Sequence, residues 1–279
     1  MKRAIQRRLR LIKLMLVDTK KCIFCTATGT TREHIFPRWS HQFFLPKSNR
    51  KARVRISVIR ENRTDILDDL KMTGPIQDWQ IQCVCAPCNN VWMKNIEKAA
   101  QPIMEFLCKG ERVRLSEADQ KIIATWAILK VMVVHHHFVH HLQRKQMMVK
   151  REPPRRWSVW IATYERRNWL PQFLTTPMGL DPPNSPQRSG RRGGAPNSHA
   201  TTQIIKKLFI HVVNVPMDGF ATRWWWTDPA GAPFKGDQLQ IWPPSVQSYL
   251  WPRKALDDVE AETIANAVFR GFLRAAAAS

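Results

Sequence analysis

The chain has 279 residues, 44% of them hydrophobic, which is ordinary for a globular protein and enough for a full core and one or two domains. Its 44 Lys and Arg against 22 Asp and Glu give a net charge of +22. No run of about 18 apolar residues occurs, which excludes a membrane-spanning helix.

The charge is polarised. Residues 1–60 hold sixteen basic residues and two acids, whereas Asp257–Glu262 holds four acids in six positions. Such a field favours a polyanion, most simply a nucleic-acid backbone. A basic protein without such a partner is the plain alternative. The basic start has its apolar run broken by Lys13, is followed by Asp18 and two lysines, and offers no small-residue cleavage site. It is read as no secretory signal, so a reducing cytoplasm is the expected compartment.

In chain order, residues 1–19 read as a basic amphipathic arm or helix, and 20–39 as a compact stretch carrying Cys22 and Cys25. Residues 48–63 are strongly basic and alternate around Val54, Ile56 and Val58, which predicts an exposed strand. Arg50, Lys51, Arg53, Arg55 and Arg60 lie there and are candidate phosphate contacts, as are Arg188–Arg192; the plain reading is a solvated charged face. Residues 66–75 run into a turn at Gly74-Pro75. Asp78–Cys85 alternates as a strand, and after Cys88 the apolar residues recur at helical spacing through Leu107, with Pro102 able to kink or divide the helix.

Ser116-Glu-Ala-Asp119 reads as a capping box that opens a long helix to about Met148. Its His-rich end, His135–His141, offers i, i+4 histidine pairs but is read as a helix end. Strands are expected at 157–163, 204–215, 221–227 and 239–242, a flexible basic loop at about 182–198, and a last helix at 257–274. The three tryptophans at 224–226 are read mainly as strand packing, with base stacking as the alternative. Helix-rich then strand-rich order gives an α+β fold.

Six cysteines are present, and four form two C-x-x-C pairs, Cys22/Cys25 and Cys85/Cys88. Two intervening residues let both thiolates of a pair reach one tetrahedral ion, and four thiolates close the shell of a structural Zn²⁺. The 59 residues between the pairs leave unlinked thiols or a redox pair as alternatives. Cys83 and Cys108 are read as core thiols.

Between the pairs lies TREHIFPRW, with Glu33 beside His34. Taken together, CIFC, REHIFPRW and CVCAPCNNVWM resemble the HNH endonuclease family over about residues 20–98. The resemblance implies a ββα-metal finger on a zinc-bound treble clef, placed at 20–110; the order of elements gives a helix-rich then strand-rich α+β domain after it, at 111–279. The resemblance also implies hydrolysis of nucleic-acid phosphodiesters, with DNA the expected substrate, using Mg²⁺ or another divalent ion. By that resemblance His34 is the general base, and Glu33 and Asn89 are ligands of the divalent metal.

The residue types suit those roles, because a hard cation takes oxygen ligands and a histidine accepts protons near neutral pH. Adjacent strand residues face opposite sides, so Glu33 and His34 cannot both face one ion unless the strand bends, a bend Pro37 would help to fix; the resemblance implies the base on one side of the phosphate and the metal on the other. The family's middle Asn has no plain counterpart; Gln77 and Asp78 stand near its place, and Asp78 is a candidate to orient His34. Asn90 and Glu97 are second choices as ligands. Trp39, Trp92 and Met93 are read as packing residues of the finger. The rival readings are a non-catalytic zinc-finger nucleic-acid-binding protein, a surface role for Glu33-His34 and a helix-cap role for Asn89. A weaker rival is a structural protein of a mobile element.

Overall fold

The computed structural model describes residues 20–44, 52–60, 63–72, 79–136, 139–165, 173–178, 198–214 and 236–265, with backbone alone at 52–60, 63–72 and 173–178. The arm at 1–19, Arg50, Lys51, Asp78, Arg188–Arg192 and the tryptophans at 224–226 lie outside the described residues, as does the 182–198 loop except for Ser198.

Strands and helices mix as an α+β fold. Strand β1 (Thr30–His34) pairs antiparallel with β4 (Gln80–Cys85), with a register shift between Thr31 and Arg32. The chain then passes through a π-helical turn at Cys88–Met93 into α1 (Lys94–Lys109). Pro102 sits inside α1 without dividing it, and Gly110, at φ 75°, closes the helix by donating to Leu107. Between β1 and β4 run β2 (Ala52–Arg60) and β3 (Arg63–Met72), paired with each other. Arg53, Arg55 and Arg60 therefore sit on β2.

After β5 (Val113–Ser116), helix α2 (Glu117–Val134) opens on the predicted capping box. The Ser116 hydroxyl accepts from the Asp119 N–H at 3.2 Å, and the Asp119 carboxylate accepts from the Ser116 N–H at 2.9 Å. The expected single helix to Met148 is two. It stops at Val134, and α3 (His141–Lys150) starts on His140, whose ring Nδ1 accepts from the Leu142 N–H. The histidine run thus supplies a cap, and His136 and His140 do not share one helix.

The second half builds β6 (Trp157–Thr163), β7 (Phe173–Met178), β8 (Ser198–Ile205), β9 (Leu208–Asn214), β10 (Gln238–Trp242) and β11 (Ser248–Trp251). The strand expected at 204–215 is the corner of a hairpin, because the chain turns at Lys206-Lys207, with Lys206 in the left-handed region at φ 53°. A seven-stranded sheet runs β10-β6-β9-β8-β7-β2-β3, and β5 pairs with β11. The β2–β3 hairpin lies between the two cysteine pairs in sequence, yet it extends this sheet through Arg53 and Val54 against Leu174 and Thr175.

Alternation on the sheet decides the layers. Trp157, Val159 and Ile161 of β6 and Leu208, Ile210 and Val212 of β9 face α2 and join Trp126, Ile123 and Leu129 in the main core. Ala162 and Phe209 face the other way, where Leu256, Ala261 and Ile264, at and within a terminal helix at 258–265, cover them. The main core also contains Phe24, Phe36, Val84, Trp92 and Met93, so the cysteine-bearing part and the sheet share one interior.

Among the buried histidines, His135 and His199 lie in that interior, and His211 lies on the opposite face of the sheet beside Phe209. His135 stacks on His199 with ring centroids 5.0 Å apart, and His211 meets the Thr202 hydroxyl at 2.8 Å. Burial holds His135 well below the ordinary range and lowers His199 and His211 to about 3. The folded state keeps these rings neutral while the unfolded chain takes up protons near pH 6.5. Their contribution is therefore fully present above pH 6.5 and lost as pH falls toward 3, at about 1.4 kcal/mol per pH unit for each ring. Urea unfolding between pH 7.5 and 4.5 is expected to show a falling midpoint below about pH 6.5. The His211→Gln variant should flatten the decline, and an unchanged slope would count against this account.

Candidate functional site

The turn after Lys21 is wound tightly. The Cys22 N–H donates to the Ala27 carbonyl at 2.7 Å, and the Thr26 N–H donates back to Cys22 at 2.9 Å. Closing it requires Thr26 to adopt φ 64°, a left-handed conformation that is unusual for a β-branched residue. The Ile23 N–H reaches the Cys83 carbonyl at 3.0 Å, which lays the turn against the end of β4.

This brings the two distant pairs together. The sulfurs of Cys22, Cys25, Cys85 and Cys88 all lie within 4.8 Å of one another, and Cys25 Sγ is 3.4 Å from Cys85 Sγ. A tetrahedral Zn²⁺ with bonds of about 2.3 Å needs sulfurs about 3.8 Å apart, so the donor set and spacing fit one structural zinc ion. All six cysteines are free thiols.

The electrostatics ask for a cation. Burial and the neighbouring thiols push Cys85 and Cys88 up. Burial also opposes ionisation of Cys22, yet backbone N–H groups at Cys25, Cys85 and Phe24 bring it down to about 7. Four crowded thiolates are stable together only around a metal. Around the cluster, Phe24 meets Trp92 edge-on at 4.9 Å, Arg151 lies 4.4 Å over the Trp92 ring, and Met93 is buried. Trp39 packs on Trp126 at 6.2 Å. These are the packing roles expected of them, and Cys83 and Cys108 are fully buried core thiols.

Glu33 and His34 leave β1 in different environments, as strand geometry requires. Glu33 is 7% exposed and ion-pairs with the Lys130 ammonium of α2. Glu97 of α1 ion-pairs with the same ammonium, which also donates to the His34 carbonyl at 3.2 Å. Lys130 is fully buried; desolvation acts to discharge it, but Glu33 and Glu97 prevail and raise its pKa. The position was legible as an isolated charge in the apolar run Trp126–Val134, where only an acidic partner could hold it.

The His34 ring meets the Gln80 side-chain amide at 2.8 Å across the β1–β4 pair, where His34 and Gln80 are register partners. Gln80 therefore stands at the ring, while Gln77 and Asp78 lie outside the described residues. Strand register marks it, since Gln80 and Gln82 alternate with the apolar residues of β4. Burial first, and then Arg38, lower the His34 pKa, so the ring is neutral at pH 7. The His41 ring lies 6.0 Å away. The Asn89 amide nitrogen donates to the Thr31 hydroxyl at 3.2 Å, and that hydroxyl donates to the Val84 carbonyl at 3.0 Å. This arrangement leaves the Asn89 oxygen as the group available to a cation.

The chain was compared with protein-family models, curated proteins and solved structures, and none of them matches.

The Lys130→Met variant leaves Glu33 and Glu97 facing each other without a counter-charge and should cost about 3–5 kcal/mol in urea unfolding. Lys130→Met combined with Glu33→Gln should recover part of that loss; if the double variant is as unstable as the sum of the singles, the ion pair is not the cause. Strong chelation or Cys88→Ser should lower the melting temperature and release about one zinc per chain by metal analysis. A protein that keeps its melting temperature without zinc would refute the shared tetrathiolate site.

Proposed function

We propose that the protein is a metal-dependent endonuclease of the HNH type, with a ββα-metal module built from β1, β4 and α1 on the tetrathiolate site. The observation that carries this reading is the placement of the His34 ring. The ring is held by Gln80 on a strand pair beside the four cysteines, at the partly exposed edge of a strongly basic chain.

The base must offer a lone pair to water. An amide can serve the His34 ring either way round: its nitrogen donates to an unprotonated Nε2, or its oxygen accepts from Nε2–H. The second arrangement fixes the tautomer with Nδ1 free to accept a proton from the attacking water. Arg38, at the start of the next turn, supplies positive charge near the ring and suits a phosphate oxygen. Asn89 and Glu33 would offer oxygen atoms to a divalent ion, Glu33 through the oxygen that Lys130 leaves over. Such an ion, when bound, neutralises charge on the phosphate and the departing oxygen.

A second reading has its own observation. The Lys130 ammonium already sits against Glu33 and Glu97, which are the carboxylates a divalent ion would want. A resident ammonium there favours a zinc-stabilised nucleic-acid-binding protein without hydrolytic activity.

Supercoiled plasmid with Mg²⁺ or Mn²⁺ separates the two. Nicking by the wild type, and its loss by at least about 10²-fold in His34→Ala with binding retained, supports the enzyme. Binding without cutting under any divalent ion supports the second reading. Because the His34 pKa is lowered, the acid limb of activity should be centred below pH 6.5, where the ring takes up a proton. Arg38→Ala removes a charge that disfavours that proton, so the acid limb should move to higher pH. A limb centred above pH 6.5 in the wild type would exclude His34 as the titrating base.

A further inference from the structure

A cleft of about 600 Å³ opens between the Cys22–Thr26 turn and the break between α2 and α3. Lys20, Lys21, Arg144, Lys145, His136 and His141 line it, over a floor that includes Ile23 and Phe24, and among the described residues no carboxylate contributes to its wall. Among the described residues, none of Lys20, Lys21, Arg144 and Lys145 forms an ion pair. Arg144 is half-buried, and its Nη1 donates to the His136 carbonyl, which fixes the guanidinium at the cleft. The three lysines are exposed at its rim.

These cations outnumber what the metal site needs. A zinc ion with four thiolates carries a charge of about −2, whereas Arg144 and the three lysines carry four positive charges. The remainder faces solvent in a concave site, where a fixed guanidinium and mobile ammonium groups suit a phosphate.

We propose that this cleft binds a backbone phosphate of a nucleic-acid strand, with Arg144 as the fixed contact and Lys20, Lys21 and Lys145 as the mobile ones. The assignment rests on the reading of nucleic acid as the partner. It adds where the strand runs: across the cysteine turn and the start of α3. A free phosphate would satisfy the same chemistry, but the cleft is several times larger than one phosphate group and its cations continue onto the open rim.

The test uses the full zinc-loaded chain and a fluorescent oligonucleotide, with binding followed by anisotropy as salt is raised. Lys20→Ala/Lys145→Ala is expected to weaken binding about ten-fold near 0.15 M salt. It should also reduce the slope of log K against log salt by about 1 to 2, with zinc content unchanged. Lys145→Glu alone, on an exposed position of α3 away from the cysteines, should act in the same direction without touching the metal turn. The reference pair Lys150→Ala/Arg155→Ala removes the same charge outside the cleft and should change the slope by less than half as much.

Equal effects from the two pairs, or none from the cleft pair, would overturn the assignment. So would displacement of bound oligonucleotide by submillimolar inorganic phosphate at constant ionic strength, which would assign the cleft to free phosphate. Plasmid nicking reads the catalytic proposal separately. An unchanged cleft pair with nicking intact fails the cleft alone. Weakened binding without any nicking supports the cleft and fails the catalysis alone.

Discussion

The ammonium of Lys130 has no contact with solvent and three oxygen groups around it, and much of the molecule is arranged to make that possible. Removing such an ion from water costs several kcal/mol, which is recovered only where opposite charge and hydrogen bonds are held in place. Glu33 comes from β1, Glu97 from α1 and the His34 carbonyl from the end of β1, so one charge fixes three elements at once. Most of the other residues that α2 buries are apolar, so Lys130 is the one charged group the helix carries into the core among the described residues, and this contact lets it seat there.

That constraint explains why the cysteine-bearing part is not a free-standing finger. Small metal-stapled units usually have little interior of their own. Here Phe24, Trp92 and Met93 continue into the layer formed by Trp126 and the inner faces of β6 and β9. The metal site closes the turn, the buried ion pairs anchor β1, and the sheet supplies the bulk against which both are pressed. His34 and Gln80 remain at the outer side of this assembly, where Gln80 is exposed and water has access.

Much of the local structure was legible in the residues, for identifiable reasons. The two-residue cysteine spacing, the Ser116–Asp119 cap and the period-2 run at 157–163 each encode geometry within a few positions. What distance in the chain separates was harder. Nothing local says that Gln80 faces His34, since register depends on the shift beside Thr31. The pairing of Lys130 with Glu33 joins positions 97 residues apart. The hairpin at Lys206-Lys207 was hidden because two adjacent lysines in an apolar run carry none of the usual turn residues. The end of α2 was hidden because helical periodicity runs on through the histidines, while the chain bends to let His140 cap α3.

Thr26 carries a different implication. A branched side chain in left-handed backbone costs about 1–2 kcal/mol, and here it immediately follows a zinc ligand. Without metal the turn has reason to relax, and with metal the four sulfurs hold it. Because Thr26 also lines the basic cleft, the four-cysteine cluster and the cleft wall share one short turn, and a change in one is felt in the other.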